Sequence, residues 1–229
     1  MVLLIFVVFV LLCLGVDAIV QFRRHKKAVV KEVAYTFPKF FSENTIVVPK
    51  GLYFDKTHTW AFMDSDGMVK IGIDDFFPHV TGQLTSIKMK DSGEMIKKNE
   101  VFLTVIQNGK QLKIKAPVSG TIKAQNKALL TNTSLINSFP YSDGWVYMIE
   151  PTNWIREIQF LFMAEKFSDW LRTEFTRLRD FFAVMQKTNE TMYAHVILQD
   201  GGELKEGILM DLRSEVWEDF QTHFIDTVK

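Results

Sequence analysis

The side chain best placed to do chemistry in this 229-residue chain is Lys110, which lies beside a predicted tight turn. Two strand-like runs, Val101–Ile106 and Gln111–Lys115, flank Asn108-Gly109, the dipeptide best suited to the positive φ angles of a type I′ turn. The amine of a lysine beside a turn is accessible, and an ordinary solvated residue is the simplest interpretation. The later lysines of the second run alternate with apolar residues and are predicted to face solvent.

Other combinations of reactive side chains are weak. The five histidines are scattered without the spacing of a metal site, and they are His25, His58, His79, His195 and His223. Asp74 and Asp75 are adjacent at a predicted strand end, so we expect turn and cap residues rather than a catalytic pair. The chain has no nucleophile elbow, phosphate loop or dinucleotide fingerprint. The sequence therefore predicts no catalytic residues, no metal and no enzyme.

The elements that must position the hairpin are mostly strands. Alternating apolar residues with regularly spaced turn signals predict an antiparallel β domain over residues 53–153. The turn signals are Asp64–Gly67, Ser92-Gly93, Asn108-Gly109 and Ser119-Gly120. We expect a flattened barrel or sandwich with Gly109 at an exposed hairpin tip.

A series of landmarks in this domain resembles one family. They are Asp55–Trp60 with its His-x-Trp, Val69–Phe76, Asn126–Leu130, Leu135–Tyr141, Asp143-Gly144-Trp145 and Met163–Phe167. Together with the hairpin and Ala116–Gly120 they resemble the H protein of the glycine cleavage system, a relative of lipoyl and biotinyl carrier domains. The resemblance implies a mainly β barrel-sandwich hybrid fold and a swinging lipoate arm on one lysine.

The sequence departs from that family at the lysine itself. Counted back from Pro117, the lipoyl-lysine position is Gly109, and Ile106 stands where the family has an acidic residue. Lys110 comes one place late. We therefore expect a hairpin tip, residues Gln107, Asn108, Gly109 and Lys110, that carries no cofactor, with lipoylation of Lys110 as the alternative.

The N-terminus predicts a membrane anchor. Residues 1–22 are almost wholly apolar and long enough to cross a bilayer, and a basic cluster follows at Arg23, Arg24, Lys26 and Lys27. Under the positive-inside rule this cluster places the globular part on the cytoplasmic side of the inner membrane, with residues 23–52 as a juxtamembrane linker. The alternative is a signal peptide cleaved after Ala18, which would release a secreted binding domain.

Charge and cysteine content argue against nucleic-acid binding and exclude an internal disulfide. The chain has 27 basic and 27 acidic residues, so no net field attracts nucleic acid. Its single cysteine, Cys13, lies in the apolar N-terminal stretch and excludes an internal disulfide.

The C-terminal part is predicted to add a long helix and a small tail. Residues 154–187 contain no proline or glycine and carry an apolar seam at Phe167, Leu171, Phe175, Leu178, Phe182 and Met185. Residues 188–229 are predicted to form a β-hairpin, from Tyr193–Leu198 and Leu204–Leu209, and a short helix near Ser214. Either this tail or a helix of a partner protein covers the seam.

These observations favour a non-catalytic adaptor or assembly subunit of a membrane-associated complex, built on an H-protein-like domain. A lipoyl carrier modified at Lys110 and a secreted binding domain are the alternatives.

Overall fold

A computed structural model describes residues 40–188 and 204–226. The predicted anchor at residues 1–22 lies outside these residues, as do the basic cluster and most of the linker. Within the described ranges, no helix combines the length and apolarity that crossing a bilayer requires.

The described chain is mainly β, as predicted. The strands are β1 (Phe40–Phe41), β2 (Tyr53–Asp55), β3 (Thr59–Met63), β4 (Val69–Ile73), β5 (Ser86–Met89), β6 (Met95–Ile96), β7 (Val101–Gln107), β8 (Lys110–Lys115), β9 (Gly120–Gln125), β10 (Tyr147–Pro151) and β11 (Leu204–Lys205). The α-helices are α1 (Phe76–Thr81), α2 (Ala128–Thr131), α3 (Ser134–Ser138), α4 (Trp154–Glu157), α5 (Ala164–Thr188) and α6 (Ser214–Phe220). Two 3₁₀ segments, Ile158–Phe160 and Ile208–Asp211, and a π-helical turn, Gln221–Ile225, complete the elements.

The strands form antiparallel sheets around one apolar core. A six-stranded sheet has the order β2-β3-β4-β10-β9-β6, and a three-stranded sheet has the order β5-β7-β8. Along β8 the buried side chains of Leu112 and Ile114 alternate with exposed Gln111 and Lys113, which confirms the predicted pattern.

One of the landmark glycines is required by a close approach. A Cβ on Gly72 in β4 would lie 2.7 Å from the indole of Trp60 in β3. That indole is buried, and its Nε1 donates to the carbonyls of Ile73 at 3.0 Å and Pro140 at 3.1 Å. The glycine therefore leaves room for a buried aromatic ring that ties the sheet to the loop before β10.

The predicted helix over residues 154–187 is interrupted. After α4 and a 3₁₀ turn the chain becomes extended at Phe162, whose N–H and C=O both pair with Phe54 at 2.8 Å. These backbone groups are then unavailable for helical bonds, so the long helix α5 begins only at Ala164.

The seam of α5 packs against other parts of the chain, which favours cover by the chain itself over the alternative of a partner helix. Phe167 stacks on Phe54 with ring centroids 4.4 Å apart, and Phe175 packs edge-on against Phe41 at 5.6 Å. Five seam residues are buried, namely Phe167, Leu171, Phe175, Leu178 and Phe182. Met185 is half-buried.

The second strand of the predicted C-terminal hairpin, Leu204–Leu209, is shorter than expected. Leu204–Lys205 pairs with Phe40–Phe41 at the start of the described chain, and Ile208–Asp211 is a 3₁₀ helix. The predicted first strand, Tyr193–Leu198, lies outside the described residues. The short helix near Ser214 is present as α6.

Candidate functional site at the β7–β8 hairpin

The hairpin tip has the predicted turn. Asn108 and Gly109 have φ angles of 48° and 84°, and Gln107 pairs with Lys110 across them. A Cβ on Gly109 would meet nothing within 4 Å, so this position is open to solvent as expected. Thr85 anchors the turn, because its Oγ1 accepts the Asn108 N–H at 3.0 Å.

Lys110 is not the solvated residue that the simpler interpretation expects. Its ammonium donates to the carbonyls of Met210 at 2.6 Å and Leu212 at 3.0 Å, and lies 5.3 Å from the ring centroid of Trp217. Burial lowers the pKa of Lys110, and the charge of Asp211 opposes that shift. The amine is therefore held by the C-terminal part of the chain.

A second set of contacts fastens the same C-terminal part to the edge strand β8. The side-chain amide of Gln221 accepts the Lys113 N–H at 2.8 Å and donates to the Lys113 carbonyl at 3.0 Å. Lys115 forms an ion pair with Asp226 at 3.0 Å. Gln221 thereby satisfies backbone groups that a further strand would otherwise pair. We call residues 208–226 the C-terminal clamp.

Between the hairpin and the clamp lies a cleft of about 550 Å³. It is lined by Gly109, Lys110, Gln111, Lys113, Ser214, Trp217, Glu218, Gln221, Thr222 and Asp226. Ile106, at the position of the family's acidic residue, pairs with Gln111 and is half-buried. At the tip, Gly109 is therefore open to solvent, while the ammonium of Lys110 is bound by the C-terminal clamp.

Two buried histidines, His58 and His79, link the β domain to later segments of the chain, and no sequence pattern predicted their carboxylate partners. His58 lies in the β2–β3 turn, with Nδ1 3.0 Å from Asp74 Oδ2 and Nε2 3.8 Å from Glu174 Oε1 of α5. Burial opposes its charge, but the two carboxylates outweigh burial and raise the pKa of His58 to about 9. The ring of His58 lies between the sheet and the long helix, and its raised pKa favours the charged form at neutral pH.

His79 plays the corresponding part at the end of α1. Its Nδ1 lies 2.5 Å from Glu206 Oε1, and its Nε2 lies 3.5 Å from Asp75 Oδ2. Burial opposes the charge of this ring as well, but Asp75 and Glu206 raise the pKa of His79 to about 9. Burial raises the pKa of Glu206, while its contact with His79 acts in the opposite direction.

Asp74 caps the first turn of α1, as predicted, whereas the side chain of Asp75 makes no cap hydrogen bond and binds a distant backbone group; each also contacts a histidine. Asp74 Oδ1 accepts the Phe77 N–H in the first turn of α1 at 3.2 Å, and Asp75 Oδ2 accepts the Val47 N–H at 2.8 Å. The two side chains point to different partners, so they do not form a shared acid–base site.

The remaining histidines show no common site. His25 and His195 lie outside the described residues, and His223 lies with Nδ1 2.8 Å from the carbonyl oxygen of Asp219. Within the part of the chain that the structure describes, no group of three or more His, Cys, Asp or Glu side chains is arranged so that it could hold a metal ion.

The described residues thus form a mainly β domain with an exposed tight hairpin at residues 107–110. The model of the glycine cleavage H-protein family matches residues 52–174, just over half of the chain. The chain belongs to this family.

Individual relatives agree. The chain is 32% identical over 126 residues to a probable glycine cleavage system H protein of Thermococcus kodakarensis, covering 55% of this chain and 93% of that one. It is 32% identical over 127 residues to the glycine cleavage system H protein of Stenotrophomonas maltophilia, covering 56% and 96%. Among solved structures it is similar to an H protein of Mycobacterium marinum, with 26% identity, a TM-score of 0.44, and coverage of 46% of this chain and 87% of that one.

Proposed function

We propose that this chain is a membrane-tethered H-protein-like domain that carries no lipoate and acts as a non-catalytic adaptor or assembly subunit of a membrane-associated complex. Its relatives are named as components of the glycine cleavage system, which supports a role as one subunit among several. The tether would be residues 1–22, a single span of the inner membrane with the β domain on the cytoplasmic side.

The observation that carries this proposal is the engagement of Lys110. The family's carrier position is Gly109, which has no side chain to modify, and the ammonium of Lys110 binds Met210 and Leu212. Acylation would convert that ammonium into a neutral amide with a single N–H donor, so both carbonyls and the Trp217 ring would lose a cationic partner. A lipoyl group on Lys110 would therefore remove the ionic contacts by which this residue holds the C-terminal clamp.

A lipoyl carrier modified at Lys110 is the second candidate. Membership of the H-protein family favours it, as does the position of Lys110 immediately after the tip. It requires the C-terminal clamp to leave the hairpin before a ligase could reach the amine.

Intact mass of the native protein, together with detection by an antibody to lipoate, decides between the two candidates. The adaptor predicts an unmodified chain and full function for Lys110→Arg, with Lys113→Arg as the matched control in the same strand. A lipoate signal that disappears in Lys110→Arg but not in Lys113→Arg, with loss of function, would establish the carrier. Co-purification from mild detergent would then identify the other subunits.

The tether is tested by protease accessibility in sealed inner-membrane vesicles. With the cytoplasmic side exposed, the β domain should be digested while the N-terminal span stays protected. A mature protein that begins at Ile19 would instead support the secreted binding domain.

A further inference from the structure

Residues 154–163, which connect β10 to α5, form an exposed apolar segment. Seven of its ten residues are apolar, and Ile155, Phe160 and Met163 expose 77%, 68% and 53% of their surface. Trp154 and Phe162 beside them are half-buried. Several exposed apolar side chains within one short segment are typical of a surface that binds a protein or a membrane.

This exposure belongs to an ordered part of the fold. Trp154 packs edge-on against Tyr53 with centroids 5.5 Å apart, and Phe162 is held by both backbone bonds to Phe54. The acidic residue of the segment, Glu157, is turned inward, where its carboxylate accepts the N–H and the hydroxyl of Ser119, both at 2.6 Å. These contacts hold the segment against the β domain, while Ile155, Phe160 and Met163 remain exposed to solvent.

The charges around the segment are predominantly unmatched cations. Lys56, whose Nζ lies 5.4 Å from the Phe162 ring centroid, Arg156 and Lys166 are exposed and form no ion pair with any residue that the structure describes. The exposed acids nearby are each paired, since Glu165 contacts Lys50 and Asp169 contacts Arg172. Apolar and aromatic side chains rimmed by basic residues fit the interface of a bilayer that contains anionic lipid.

We infer that the apolar segment docks the β domain onto an anionic membrane surface. This inference rests on the proposed tether, which would confine the domain near the bilayer. About 17 residues separate the end of the predicted span from Phe40, and a chain of that length spans at most roughly 60 Å, so the tether would keep the domain close to the bilayer. Confinement makes even a weak surface contact effective.

The test uses the full chain in nanodiscs, with an environment-sensitive fluorophore on Ile155→Cys in a Cys13→Ser background. The matched control carries the label on Leu130→Cys, an apolar position in α2 that is 56% exposed. In discs that contain phosphatidylglycerol, the label at 155 should shift to shorter wavelength and be quenched by spin-labelled lipid, while the label at 130 stays in water. Replacing Lys56, Arg156 and Lys166 by glutamate should abolish the shift without changing the fold.

Co-elution with the disc reports the tether separately from the label. A chain that stays with the disc while its label at 155 remains in water would overturn membrane docking and leave the tether intact. The same shift in purely phosphatidylcholine discs would overturn the requirement for anionic lipid. The same spectral shift without quenching by spin-labelled lipid would show a protein contact and overturn the inference as well.

Discussion

Replacing Lys110 by methionine should loosen the C-terminal clamp while leaving the β domain folded. Methionine keeps an unbranched stem against Trp217 but removes the ammonium that binds the carbonyls of Met210 and Leu212. Both carbonyls then depend on solvent for a partner.

The size of the effect follows from three contributions. Each hydrogen bond from a charged donor contributes about 1.5–3 kcal/mol, and the contact with the Trp217 ring about 0.5–1 kcal/mol at a partly exposed site. Part of this sum is offset, because the lowered pKa of Lys110 shows that holding the ammonium there costs hydration. A net loss of roughly 2 kcal/mol, or about 30-fold in the opening equilibrium of the clamp, is expected.

Native-state hydrogen exchange measures that opening directly. Suitable reporters are the N–H groups of Met210 and Leu212, which donate to Gly207 at 2.7 Å and to Leu209 at 3.1 Å. Their exchange should accelerate in Lys110→Met, whereas strand amides of β3 and β4 should be unchanged. Lys113→Met is the control, because the contact of Lys113 with Gln221 uses only its backbone. Equal exchange of the clamp in both variants would refute the conclusion that Lys110 holds it.

Three further predictions concern the rest of the fold. The pKa values of His58 and His79 are raised to about 9 from an ordinary 6.5, so the stability that their charged forms contribute is complete below about pH 6.5 and is lost as the pH rises through 9. The free energy of unfolding, measured with denaturant, should therefore be a few kcal/mol lower at pH 9.5 than at pH 6. An equal free energy at the two pH values would contradict the charged state of these histidines. Gly72→Ala should destabilise the chain by about 1–3 kcal/mol, because its Cβ would collide with the Trp60 indole, and an unchanged urea midpoint would show that the ring can move away. The double substitution Leu171→Asp with Leu178→Asp should lower the free energy of unfolding by several kcal/mol, because it places two unpaired charges between α5 and the β domain, and the melting temperature should fall. A normally folded variant that has only lost a partner protein would instead support the partner-helix hypothesis.

Sequence alone was sufficient where structure depends on neighbouring residues. The turn at Asn108-Gly109 follows from the positive φ angles that these two residues tolerate, and the faces of β8 follow from the alternation of Leu112 and Ile114 with polar residues. The ordered landmarks from Asp55 to Phe167 were enough to indicate the H-protein family, because each reflects a turn or a close contact of the fold.

The helix boundaries were predicted less well, because a long-range strand contact overrides the local helical pattern. Residues 154–187 lack proline and glycine and have a helical period, but the backbone of Phe162 pairs with Phe54 and interrupts the helix. Nothing local in the sequence signals that bond, because its partner is more than a hundred residues away.

The environment of the candidate site was decided by tertiary structure alone. Lys110 reaches the carbonyls of Met210 and Leu212, His79 reaches Glu206, and Lys113 meets Gln221, each pair about a hundred residues or more apart. Ionic and hydrogen-bonding contacts of this kind leave no periodicity in the sequence, since they depend on where distant segments pack. The sequence was therefore enough to predict the turn and the position of Lys110 beside it. Whether the amine of Lys110 is free depends on how the C-terminal clamp folds against the hairpin.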